Sequence, residues 1–203
     1  MLTLALPVAA TAQNAAPISG FVIDARGSLI NFGQDAELAA RRGLDPTQLP
    51  PWGWTGVELG AHVYPLRLGP VTFGVGGAMH LGRATRHPGE DDPDPDAPAV
   101  KTRFVAYSPQ LSFNFGHRMG WSYLSGGVGT SRMTVYADEG SRPDQPRAKT
   151  LNYGGGARWF VSPRLAFALD LRVFAINAVP QTGEQIGSPR MTRYAFSVGA
   201  SFR

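Results

Sequence analysis

Eight segments of strand-like composition run through residues 20–203, and the connections between them alternate strictly between long and tight. The segments are roughly 20–27, 55–66, 70–85, 101–116, 120–135, 150–162, 164–176 and 190–203. Long connections cover 28–54, 86–100, 136–149 and 177–189, and the tight ones between them read "RLGP", "HRMG" and "VSPR". In an antiparallel meander every second connection lies at the same end. One end therefore carries only tight turns and the other only long loops. An even strand number also brings both termini to the tight-turn end. Aromatic and β-branched residues recur at period two, and helical spacing is not sustained. The one helix-like patch, "DAELAARRGL" at 35–44, falls inside the first long connection.

Parity within the segments decides which solvent each face meets. In 165–173 the odd positions are Leu165, Phe167, Leu169, Leu171 and Val173, with Ala166, Ala168, Asp170 and Arg172 between them. In 151–161, Leu151, Tyr153, Trp159 and Val161 alternate with Asn152, Gly154, Gly156 and Arg158. Asp24, Arg26, Glu58 and His62 obey the same rule on the small or polar face. Segment 120–135 is ambiguous, because Leu124 and Val128 oppose Trp121 and Tyr123. A soluble sandwich or lipocalin-like barrel would turn the apolar face inward and cover the other with Lys, Glu, Thr and Gln. Here the second face is Gly, Ala and Ser with a few charges, which suits the narrow lumen of an eight-stranded barrel. A charge facing lipid costs about 2–4 kcal/mol at mid-membrane, so Asp170 and Arg172 are expected inside. The pattern predicts an all-β, eight-stranded antiparallel up-and-down transmembrane β-barrel with short periplasmic turns and long outer loops. Asp24, Arg26, Glu58, His62, Arg158, Asp170 and Arg172 should form its interior polar network. Tyr64, Phe115, Trp121, Tyr123, Trp159 and Phe202 should form an aromatic girdle at the turn end, and Trp54, Phe104, Tyr136, Phe174 and Tyr194 one at the loop end.

Composition narrows the alternatives. No run approaches the ~20 apolar residues of a membrane helix. The 203 residues include no cysteine, which removes disulfides, thiolate metal sites and a thiol nucleophile. The 19 cations are scattered rather than gathered, so the net charge of +4 does not indicate nucleic acid. Residues 1–12 read as a secretory signal with a small-residue cleavage pattern at Ala10-Thr11-Ala12, and the missing basic start is that of a truncated signal. Residues 13–19 are then a lead into a single barrel domain, 20–203.

Other motifs carry little chemistry. "GGGARW" lacks the G-K-[ST] of a phosphate loop. His62, His80, His87 and His117 lie in separate segments, so no metal site is inferred. The acidic stretch "GEDDPDPDAP" offers Glu90, Asp91, Asp92, Asp94 and Asp96 as a weak cation-binding loop, but its prolines break the turn a calcium loop uses. No cofactor is expected.

The loop alternation, the parity and the final strand "RYAFSVGASFR" together resemble the small outer-membrane β-barrel proteins, the OmpA/OmpX-like eight-strand class. The stretches "SPQLSFNFGHRMGWSYLSGGVG" and "LNYGGGARWFV" look like barrel proteins of environmental bacteria. The resemblance implies export to the bacterial outer membrane and contact with membrane lipid and lipopolysaccharide. It also implies insertion by the barrel-assembly machinery, a monomer, and a structural or surface-interaction role. In that class the last strand ends in an aromatic residue, whereas here Phe202 is followed by Arg203. A porin-like small-solute channel is the alternative. A lipid-modifying enzyme would need a His and a Ser two apart on a strand, and His62 and His80 are followed instead by Tyr64 and Gly82.

Overall fold

The computed structural model describes residues 16–18, 20–90, 92, 94–137, 147–183 and 185–203. The expected signal segment lies outside the described residues. The strands are β1 (Phe21–Asn31), β2 (Trp52–Leu68), β3 (Val71–Arg86), β4 (Val100–His117), β5 (Gly120–Tyr136), β6 (Ala148–Phe160), β7 (Leu165–Ile176) and β8 (Met191–Phe202). Each pairs antiparallel with the next, and β8 returns to β1 in register from Ile23↔Phe202 to Asn31↔Tyr194, closing the barrel. Closure satisfies every strand's ladder inside the chain and leaves no edge.

Tight turns hold the lower ends level. Gly69 takes φ 58° between β2 and β3, the positive value that a glycine-first hairpin turn puts at its first central residue. β2 to β5 run for 16–18 residues, whereas β1, β7 and β8 have 11 or 12. About 9–11 tilted residues cross a hydrocarbon core. Pairing of β2 with β3 shifts between Val63 and Leu66, a bulge at Tyr64-Pro65 that accommodates a proline without a ladder donor.

The first long connection is not an open loop. Its helix-like patch forms a short helix, α1 (Ala36–Ala40), and a 3₁₀ turn follows at Pro46–Gln48. Asp35 caps α1 by accepting from the Leu38 amide at 2.9 Å. Leu38 and Ala39 are then buried over the outer mouth with Phe32 and Leu49. Gly53 and Gly82 make room for this lid, because a Cβ on either would sit 2.3–2.4 Å from the Phe32 ring or the Ile30 methyl. Asp35→Ala should loosen the lid by about 1 kcal/mol. The expected readout is faster protease cleavage between residues 40 and 50, with the barrel itself intact.

Candidate functional site

Inward positions of four strands meet in the middle of the lumen. β1 supplies Asp24 and Arg26, β2 Glu58 and His62, β6 Arg158, and β7 Asp170 and Arg172. All seven are buried. Asp24 is the hub. Arg158 forks onto it with N–H···O distances of 3.0 and 2.6 Å, Arg26 lies 2.7 Å away, and the Ser201 hydroxyl donates to it. His62 stands 3.9 Å from the same carboxylate. Arg26 also bonds Glu58. Asp170 accepts two bonds from Arg172, at 3.1 and 2.7 Å, and one from the Tyr123 hydroxyl at 2.7 Å. Tyr123 joins the two groups, because the Arg158 guanidinium lies 4.2 Å from its ring centroid. Three carboxylates thus face three guanidiniums, and the layer is neutral with neutral histidines. Neutrality is what makes it tolerable, since an uncompensated buried charge costs several kcal/mol.

Sequence reasoning missed the neutral half of this layer. Gln110 donates to Asn152 at 3.2 Å, Asn152 donates to Ser108, Arg172 donates to Ser125 at 2.9 Å, and Asn114 bonds the Thr72 carbonyl at 3.0 Å. The signal was available in the even positions of β4 from Ala106 to Asn114, which are uniformly small or polar.

Apolar plugs close the layer on both sides. At the turn end Ile18, Val22, Tyr64, Trp121, Tyr123, Phe160 and Ala166 pack together. Trp121 stacks on Phe160 at 5.1 Å and meets Tyr64 edge-on at 5.8 Å. Tyr64, Trp121 and Tyr123 are therefore lumen residues and not parts of the expected girdle. The reason is local: β5 has apolar residues on both faces here, and Gly74 and Gly156 opposite give the rings their space. A Cβ on Gly156 would come within 2.6 Å of the Tyr123 hydroxyl. Phe115, Trp159 and Phe202 do face outward, each nearly half exposed. At the loop end Phe104, Phe174, Val135 and Ile176 pack beneath the lid. Phe174 touches Phe104 and His80 edge-on at 5.3 and 4.9 Å. Phe104, Tyr136 and Phe174 are thus buried and not belt residues, whereas Trp54 and Tyr194 are exposed.

The acidic connection holds no converging set. Asp92 is forked by Arg86 at 3.0 and 3.1 Å and accepts from the Gly89 amide, while Glu90, Asp94 and Asp96 stand exposed. Asp91 lies outside the described residues. Among the described residues no three acids or histidines gather as a metal site. In the lid, the Thr47 hydroxyl and then its amide hold the Asp45 carboxyl below the usual range. Burial, aided by neighbouring Arg41, lowers the Arg42 guanidinium to about 10, still charged at neutral pH.

The outer wall is the mirror of the lumen. Ile23, Leu59, Val75, Leu111, Phe113, Leu124, Val128, Leu151, Leu171 and Phe196 are large, apolar and exposed, and they run round all eight strands. A continuous apolar belt on a closed barrel is a lipid-facing surface. No family model and no curated protein matches the sequence. Among solved structures, Neisserial surface protein A is similar at a TM-score of 0.55 with 16% identity, covering 91% of this chain and 97% of that one. The attachment invasion locus protein Ail of Yersinia pestis is similar at 0.46 with 14% identity, over 91% and 99% of the two chains. The N-terminal β-barrel domain of Pseudomonas aeruginosa OprF gives 0.44 with 12% identity, over 91% and 97%. The first of these speaks to the fold. Taken with the apolar wall it turns outward, the chain has the fold of a small, closed eight-stranded β-barrel like that of Neisserial surface protein A.

Proposed function

We propose that the protein is a closed outer-membrane anchor that works through its outer, loop-bearing end and does not conduct. One observation carries the reading: a neutral layer of six buried charges lies between two apolar plugs, with the first connection folded into the outer mouth. A porin lumen is wide and wet. Here the lumen is occupied by side chains bonded to one another, so an ion entering it would have to break the Asp24 and Asp170 pairs. The protein then sits as a monomer among phospholipid and lipopolysaccharide, inserted by the barrel-assembly machinery. The internal pairing of every strand supports the monomer, because no edge is left to recruit another copy. The reading gives it no catalytic role, since His62 and His80 are enclosed in the lumen rather than set at a rim.

Planar-bilayer recordings of the refolded protein test this directly. The expected result is no steady current. Stable unitary steps would favour a narrow small-solute channel and overturn the sealed reading. Outer-membrane fractionation and a heat-dependent shift in electrophoretic mobility check the placement, and recovery from the soluble periplasm would refute it.

A further inference from the structure

Strands β3 to β6 contain no Asp or Glu, yet they carry most of the outward-facing cations of the barrel wall. Arg83 and Arg103 are direct cross-strand partners in the register of β3 and β4, and both are exposed on the outward face. Like charges placed opposite one another on one face of a sheet repel. Among the described residues neither has a carboxylate partner. Beside them stand Trp52 and Trp54, the latter 80% exposed. With Thr55 these residues line an open recess of about 490 Å³. Exposed tryptophans mark the headgroup level of a membrane barrel, so the arginine pair lies where lipid phosphates lie. The row continues round the wall to Arg132, Arg147 and Lys149, whereas β7, β8 and β1 carry no outward charge within their strands and only Arg190 stands just ahead of β8.

A second feature lies below on the same strands. Ala61, Gly77 and Pro109 are neighbours across β2, β3 and β4, all on the lipid side. Because Pro109 has no N–H, the β4–β5 pairing lapses between Tyr107↔Thr130 and Leu111↔Gly126. The small residues leave a shallow, open groove bordered by Leu59, Met79 and Tyr107. Pro109 is six residues along β4 from Arg103, roughly 20 Å of strand. At the usual tilt that is roughly 15 Å of depth, about half the hydrocarbon thickness.

We propose that the β2–β5 wall binds one phosphorylated outer-leaflet lipid, its phosphate between Arg83 and Arg103 and an acyl chain in the groove at Ala61, Gly77 and Pro109. The inference rests on the outer-membrane reading above. Guanidinium pairs suit phosphate because their planar forks bond its oxygens two at a time. The anion also relieves the repulsion between the two arginines, and the groove takes a chain that a smooth wall would not order.

The test is native mass spectrometry of the detergent-solubilised full chain titrated with lipid A, phosphatidylcholine or inorganic phosphate. Lipid A should be retained in preference to phosphatidylcholine. Arg83→Gln with Arg103→Gln should weaken lipid A roughly tenfold, for two charge-assisted contacts, and leave phosphatidylcholine unchanged. Ala61→Leu, which fills the groove without touching the arginines, should weaken lipid A severalfold. Equal lipid A binding by wild type and the arginine variant would overturn the proposal. Displacement of lipid A by millimolar inorganic phosphate would overturn the groove. The substituted side chains are exposed, and retained heat-dependent mobility verifies that each variant is folded. If the wild-type chain itself shows no such mobility shift and fractionates as soluble, the outer-membrane reading fails instead.

Discussion

Asp24→Ala should destabilise the barrel by about 3–5 kcal/mol, the cost of leaving a buried guanidinium without its partner. The expectation follows from the geometry of the hub. Asp24 accepts from Arg158 through two bonds, from Arg26 at 2.7 Å, and from Ser201. Without it, Arg158 keeps only Ser201 and the Tyr123 and Trp121 rings. The urea midpoint of the protein in lipid vesicles, followed by the heat-dependent mobility shift, should fall accordingly. The informative companion is Asp24→Leu combined with Arg158→Met. That pair of changes removes one charge of each sign, keeps Arg26 with Glu58 and Arg172 with Asp170, and leaves the layer neutral. It should recover most of the single variant's loss, since replacing a buried ion pair by apolar residues is often neutral or stabilising. A double variant as unstable as the sum of its two single variants would show that the residues are not coupled.

Leu171→Arg should cost about 2–4 kcal/mol in vesicles. Leu171 lies in the middle of β7 and is 57% exposed, with Gly155 and Phe196 as its register neighbours. On a water-facing wall such a change at an exposed position would fall within about 0.5 kcal/mol. The size of the loss therefore reports which solvent touches β7. The same urea titration measures it, and an unchanged midpoint would mean that this face does not lie in hydrocarbon. Arginine one position along, at 172, is native and buried. The chain thus carries its own control for the effect of facing.

Those two residues also show what the sequence could and could not reveal. Asp170 and Arg172 alternate with Leu169, Leu171 and Val173, so the period-two rule assigns their faces without ambiguity. The rule works along the middle of the barrel because the lumen there is polar while the wall is apolar. It fails where the lumen itself becomes apolar. At Trp121 and Tyr123 both faces of β5 are hydrophobic, the alternation vanishes, and rings inside the turn-end plug look like interfacial ones. Phe104 and Phe174 mislead in the same way at the loop end. The lid could not be read at all beyond its helix-like patch. Burial of Leu38 and Phe32 depends on where the strands carrying Phe174 and Met191 end, more than a hundred residues later. Likewise the inward charges could be listed from sequence, but not that Asp24 would hold Arg158 across the lumen, 134 positions away. Such pairings exist only once the sheet has closed.

That last contact bears on how the chain enters the bilayer. In the central layer β1 and β2 carry two carboxylates, Asp24 and Glu58, against one guanidinium, Arg26, and so are one negative charge out of balance. β6 and β7 carry Arg158 and Arg172 against Asp170, one positive charge out of balance. A half-inserted hairpin array from either end of the chain would bring an uncompensated ion toward hydrocarbon. The two excesses cancel when β8 docks on β1 and Asp24 meets Arg158. Membrane entry and seam closure are thereby made to favour one another, so insertion should register as a single kinetic phase, and neutralising both residues should allow partly entered, unclosed species to accumulate.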